Sequence, residues 1–132
     1  MLEGKVLLIV DDDLTLLEMY VERIKAEGAI VVSAGDGEAG LAQIVESKPS
    51  VILLDIMMPK MNGFDVLRKM QESPEMAAIP VILLTALNDD QKRNEGMRLG
   101  AVDYVVKSET LPIDVIAKIN EVLDNAEKKS KK

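Results

Sequence analysis

The 132-residue chain contains no cysteine and no histidine. Without cysteine there is no disulfide framework and no thiolate metal site. Without histidine there is no imidazole zinc site, no Ser-His-Asp hydrolysis and no Cys-His nucleophile. Nor can the chain itself carry a phosphohistidine. Its chemistry must run on Asp, Glu, Lys, Ser, Thr or Tyr. No apolar run approaches the roughly 20 residues of a membrane-spanning helix, and no secretory leader is evident. The expected compartment is the cytoplasm, with no membrane partner. Positive charge is also short: 16 Lys and Arg face 23 Asp and Glu, a net charge of -7. That balance argues against direct nucleic-acid binding. What is present is ordinary for a globular protein, 48% hydrophobic and 30% charged residues, in a length that suits one domain with a substantial core.

Strands and helices alternate along the chain. Strand one is Lys5 to Val10, followed by a helix from Leu14 to Glu27 with Leu17, Tyr20, Val21 and Ile24 on one face, stopped by Gly28. Ile30 to Ala34 is a second strand. Gly35-Asp36-Gly37 is turn chemistry before a helix over Glu38 to Glu46. Strand three is Val51 to Leu54. Pro59 and Asn62-Gly63 mark a loop, and Phe64 to Gln71 is helical. Strand four is Val81 to Leu84, ending at Thr85. Asn88 or Asp89 can cap the next helix, which ends near Gly100. Strand five is Asp103 to Val106, and Pro112 opens a final helix to Ala126. Five such units predict an α/β domain with parallel strands, helices on both faces, and a ligand site beyond the carboxyl ends of the strands.

Those ends carry the chemistry. Asp11, Asp12 and Asp13 follow strand one, Asp55 follows strand three, Thr85 ends strand four and Lys107 follows strand five. Carboxylates crowded together repel unless a hard cation sits among them. A divalent-cation site, expected to take Mg²⁺, is therefore predicted, with one aspartate left to react. Asp13 reads better as a cap for the first helix than as a ligand.

The stretches Val10-Asp11-Asp12, Leu54-Asp55-Ile56-Met57-Met58-Pro59-Lys60-Met61-Asn62-Gly63, Leu84-Thr85-Ala86 and Tyr104-Val105-Val106-Lys107 occur in order at the right strand ends. Together they resemble the receiver domain of two-component response regulators, of the single-domain, chemotaxis-regulator-like kind. The resemblance covers about residues 4 to 125. It implies a flavodoxin-like, doubly wound five-stranded parallel sheet, order 2-1-3-4-5, flanked by five helices. It implies that Asp55 accepts a phosphoryl group in a Mg²⁺-dependent reaction. Asp12 would bind the metal directly and Asp11 through water, with Asp55 and the Met57 carbonyl completing the set. Lys107 and Thr85 would contact the phosphoryl group. The implied donor is a sensor histidine kinase or a histidine phosphotransfer protein, and small phosphodonors such as acetyl phosphate would serve too.

Further expectations follow from the same resemblance. Thr85 and Tyr104 match the two switch positions, the aromatic side chain turning inward behind the threonine, with small Ala86 leaving room. Met57 and Leu87 match the positions that tune lifetime. Both are apolar and neither can orient a water, which predicts slow dephosphorylation. Met58 is expected to fill the Asp55 loop structurally. Signalling would reshape the fourth helix, fifth strand and fifth helix for an unidentified downstream protein or a second copy. The broad apolar sector of the final helix, Ile113, Val115, Ile116, Ile119, Val122 and Leu123, offers such an edge. Ser108 stands where receivers usually have a proline, which predicts a trans Lys107-Ser108 bond or a strained cis one. The domain is expected over residues 1–125, with 126–132 a lysine-rich disordered tail. Such a domain catalyses only its own phosphorylation and slow dephosphorylation. The rival is a small haloacid-dehalogenase-type phosphatase, with Asp11 as nucleophile and Asp13 as acid in Asp11-Asp12-Asp13-Leu14-Thr15. It leaves the Asp55 loop unexplained.

Overall fold

The computed structural model describes residues 2–130. Five parallel strands, β1 (Val6–Val10), β2 (Ile30–Ala34), β3 (Val51–Leu54), β4 (Val81–Thr85) and β5 (Asp103–Val106), form one sheet in the order 2-1-3-4-5. The connecting helices are α1 (Leu14–Lys25), α2 (Gly37–Ser47), α3 (Gly63–Met70), α4 (Pro74–Ala77), α5 (Asp90–Arg98) and α6 (Pro112–Ser130). Among the described residues six helices thus replace the expected five, and the fourth and fifth of the expected set are α5 and α6. The addition, α4, is a single turn. Ser73 caps it through its hydroxyl and Pro74 occupies its first turn, but four residues are too few to produce a periodic apolar pattern.

The sheet divides the core by strand alternation. Leu8, Val10, Ile52, Leu54, Leu83 and Tyr104 point to one side, against α2, α3 and the chain around α5. Leu7, Ile9, Val51, Leu53, Ile82 and Val105 point to the other, against Leu17, Tyr20 and Ile24 of α1 and Val115, Ile119 and Leu123 of α6. Both faces are covered, which is why the central strands are apolar without interruption.

Local chemistry sets the ends of the helices. The Asp13 carboxylate accepts from the Leu16 N–H and caps α1, as expected. Gly28, at φ 97°, takes the chain out of α1 in a conformation costly for other residues. Asn62 and Asp65 form a reciprocal capping box on α3. α6 extends to Ser130, so residues 126–130, expected to be a disordered tail, are helical. Ala, Glu and Lys are strong helix formers and nothing in that stretch breaks the helix. The remaining tail residues, 131 and 132, lie outside the described residues. Among the described residues no peptide bond is cis, so Lys107-Ser108 is trans and leads into a 3₁₀ turn over Lys107–Glu109.

Candidate functional site

Strand register brings the acids together. Val10 pairs with Leu54 across β1 and β3, so Asp11 and Asp55, each the next residue along, leave the sheet side by side. The Asp55 N–H donates to the Val10 carbonyl at 2.9 Å, and the Asp11 N–H to the Ala34 carbonyl at 3.0 Å. On the other side Thr85 pairs with Val106, which places Lys107 just past the same edge. The expected convergence from four strands therefore occurs.

The site is a buried charge cluster. Asp11, Asp55 and Thr85 are buried, while Asp12 is exposed. Carboxylate oxygens of Asp11, Asp12 and Asp55 all lie within 4.8 Å of one another. The Lys107 ammonium lies 2.7 Å from Asp11 Oδ2 and donates to Asp55 Oδ2 at 3.3 Å. One cation thus faces three carboxylates, and a hard divalent cation fits the excess charge and the all-oxygen donors. Asp13, though adjacent in sequence, is not in this cluster; its carboxylate is committed to the helix cap.

Electrostatics follow from burial. Desolvation, reinforced by the neighbouring Asp11 carboxylate, raises the pKa of Asp55 above the ordinary 3.8, against the opposing pull of Lys107 and of the Ile56 N–H. Burial works against the charged form of Lys107, yet its hydrogen bond to Asp11 and the charges of Asp55 and Asp11 hold its pKa above the usual lysine value. It is a fixed cation at neutral pH.

Sequence reasoning missed the backbone donors, because every residue has an N–H and only geometry selects one. The Ile56 N–H donates to Asp55 Oδ1 at 2.8 Å. The Asp13 N–H donates to Asp11 Oδ1 at 2.9 Å. These bonds fix the carboxylate planes. Gly63 is equally hidden: a Cβ there would lie 2.3 Å from the Asp55 carbonyl oxygen. Only glycine lets α3 start that close to the Asp55 loop.

The remaining expected residues have the following surroundings. Met57 is exposed, Leu87 partly buried, and Met58 packs into the core as a filler. The Thr85 hydroxyl oxygen accepts from the Leu87 N–H at 3.3 Å. Tyr104 is buried, its hydroxyl donating to the Leu87 carbonyl at 2.6 Å. Arg93 carries no signal in the sequence that would single it out. Its guanidinium sits 4.7 Å from the centre of the Tyr104 ring and donates to the Tyr104 carbonyl at 3.2 Å.

Comparison with known proteins gives a consistent picture. The family model described as "Response regulator receiver domain" matches residues 7–120. The chain is 40% identical to a "Probable transcriptional regulator ycf27" of Guillardia theta, over 92% of this chain and 46% of that protein. It is 36% identical to its counterpart in Porphyridium aerugineum, over 94% of this chain and 50% of that protein. The chain therefore spans about half the length of these curated relatives. The crystal structure of a CheY-like receiver domain protein from Methanospirillum hungatei superimposes with a TM-score of 0.87 at 31% identity, covering 98% of this chain and 99% of that one. With four motif-bearing strand ends meeting at one carboxylate cluster, and a family model spanning the sheet, the chain belongs to the receiver-domain family of response regulators.

Proposed function

We propose that this receiver domain is switched by phosphorylation of Asp55 in a Mg²⁺-dependent reaction. The observation that carries the reading is the meeting of Asp55, Asp11 and Lys107 at one sheet edge, with Lys107 in contact with both carboxylates. An Asp55 carboxylate oxygen forms a bond to phosphorus as the donor's phosphorus–nitrogen or phosphorus–oxygen bond breaks, and the donor leaves with that electron pair. In this reading Lys107 and the Thr85 hydroxyl meet the oxygens of the transferred group. Asp11, Asp12, Asp55 and the Met57 carbonyl are the proposed metal ligands. When bound, Mg²⁺ supplies charge neutralisation at the transferring group.

Since the chain has no histidine, a phosphohistidine donor lies outside these residues, on a sensor kinase or a phosphotransfer module. Output is proposed to pass through α5, β5 and α6 to a downstream protein or a second copy. Exposed Ile113 and Leu111 at the start of α6 support that surface. The phosphatase alternative is weakened because Asp13, its required acid, is engaged as a helix cap.

The test is intact mass after incubation with acetyl phosphate and Mg²⁺, with the modified residue mapped. A phosphoryl adduct on Asp55, absent with EDTA and absent in Asp55→Asn, is expected. An adduct on Asp11, or phosphate release that survives loss of Asp55, would transfer the assignment to the phosphatase reading.

A further inference from the structure

Both Asn88 and Asp89 are able to cap the helix after β4, and only one is needed. Asp89 takes the role: its carboxylate accepts from the Gln91 and Lys92 N–H groups at 2.8 and 3.1 Å. Asn88 is left to reach elsewhere. Its side-chain amide donates to the Glu109 carboxylate at 2.7 Å. That bond crosses between two loops. Asn88 lies three residues after Thr85, and Glu109 two residues after Lys107.

The rest of the Thr85 loop is already tied to β5. The Leu87 N–H closes on the Thr85 hydroxyl oxygen, and the Leu87 carbonyl accepts from Tyr104. The Lys107 loop has less internal support. It is a single 3₁₀ turn, Lys107–Glu109, with no side-chain cap at its start, and 3₁₀ hydrogen-bond geometry is poor. Ser108 places no ring constraint on the backbone. The turn that carries Lys107 is thus held from outside, by the Asn88 bond to Glu109 as well as by the contacts of Lys107 itself with Asp11 and Asp55.

We propose that Asn88 and Glu109 are positioning residues for phosphoryl transfer to Asp55, an inference that rests on the function proposed above. Their hydrogen bond fixes the spacing between the loop that follows Thr85, whose Leu87 N–H holds the Thr85 hydroxyl, and the turn that presents the Lys107 ammonium. The two groups then meet the phosphoryl oxygens as a pair. Both partners are exposed, so the bond contributes little to global stability. Position, not folding, is what it controls, and the two can be separated experimentally.

The experiment uses the full chain and measures the rate of Asp55 phosphorylation by acetyl phosphate with Mg²⁺, alongside amide hydrogen exchange without any phosphodonor. The variants are Asn88→Ala, Glu109→Ala, their combination, and Glu109→Gln, which keeps an oxygen acceptor. Each single alanine variant is expected to slow phosphorylation about three- to tenfold, and the double variant no further, because the residues act through one bond. Glu109→Gln is expected to recover most of the rate. Exchange at Ser108, Glu109 and Thr110 is expected to accelerate in Asn88→Ala, with melting midpoints within about 2 °C of the parent. Parental rates and exchange in the alanine variants overturn the proposal. So do additive losses in the double variant, and so does a rate loss that tracks a collapse in melting temperature. A parent chain that takes no phosphoryl group is a different result: it removes the proposed function itself, and is recognised in the parent rather than in the variants.

Discussion

At the scale of single residues the site is set by charge placed where water is scarce. Asp55 is buried beside Asp11, and both effects raise its pKa. The sign of the consequence is definite. A carboxyl whose folded pKa is raised favours the fold while protonated; that contribution is complete below its unfolded value and is lost as pH rises through the raised one. At pH 7 the ionised Asp55 therefore opposes folding of the metal-free protein. Asp55→Asn is expected to raise stability in EDTA at pH 7, by a gap that shrinks as pH falls and the parent's carboxyl takes up its proton. Thermal melts of both proteins from pH 7 downward check it, and an equal or lower midpoint for the variant at pH 7 would refute the charge argument. A second prediction concerns lifetime. Met57 and Leu87, the proposed lifetime positions, carry apolar side chains that offer nothing to orient an attacking water. The phosphorylated domain is expected to persist for minutes or longer, and Met57→Asn to speed phosphate release about tenfold. Release within seconds from the unaltered chain would count against this account. Much of this site is readable in the sequence, because Asp11, Asp12, Asp55, Thr85 and Lys107 each sit where an apolar run stops. The Ile56 and Asp13 amides are not readable, since backbone donors leave no mark on residue identity.

At the scale of elements, the join between β3 and α3 is the tightest constraint. A Cβ added at Gly63 would meet the Asp55 carbonyl oxygen at 2.3 Å and the Ile56 Cα at 2.9 Å. Backbone cannot yield as a flexible side chain can. Gly63→Ala is expected to cost about 2–3 kcal/mol in urea unfolding and to slow phosphorylation by displacing the Asp55 loop. Gly35→Ala is the matched control: a Cβ there meets nothing within 4 Å, and its effect is expected within about 0.5 kcal/mol. A Gly63→Ala protein as stable as the parent would mean that α3 can shift freely against the loop. In the sequence, Asn62-Gly63 reads as turn chemistry, and Asn62 does cap α3; the close approach that requires the glycine is tertiary and has no local signature. The same division holds for other elements. β3 and β5 fall where their apolar runs predict, because strands covered on both faces leave an unbroken hydrophobic signal. α4 is too short to show a period, although Ser73 followed by Pro74 is a clue to its start. α6 outruns its predicted end because its buried core residues stop at Leu123, while helix propensity, together with the Lys5–Glu127 ion pair at 2.8 Å, supports the backbone on to Ser130.

At the scale of the whole molecule, two apolar layers stabilise a sheet whose carboxyl edge concentrates negative charge. Three carboxylates with one ammonium among them concentrate at one edge part of the chain's net charge of -7. A divalent cation at that edge would bind the folded chain and not the unfolded one, where Asp11 and Asp55 are far apart. Folding and metal binding are then linked by mass action. At ten times its dissociation constant Mg²⁺ is expected to add about 1.4 kcal/mol, which for a domain of this size corresponds to a rise of roughly 4–7 °C in melting temperature. General screening of a net-negative chain would mimic part of that rise. The melts are therefore run against NaCl at equal ionic strength, and with Asp11→Asn and Asp55→Asn beside the parent. The expected pattern is a Mg²⁺-dependent rise in the parent, sharply reduced in both variants, and little change with NaCl. A rise of equal size in NaCl, or one that both variants keep, would place the effect in the overall charge of the molecule and not in this cluster. The pattern also bears on Asp55→Asn as a stabilised protein: the gap between it and the parent should narrow as Mg²⁺ is added, since the cation removes the same repulsion that the substitution removes.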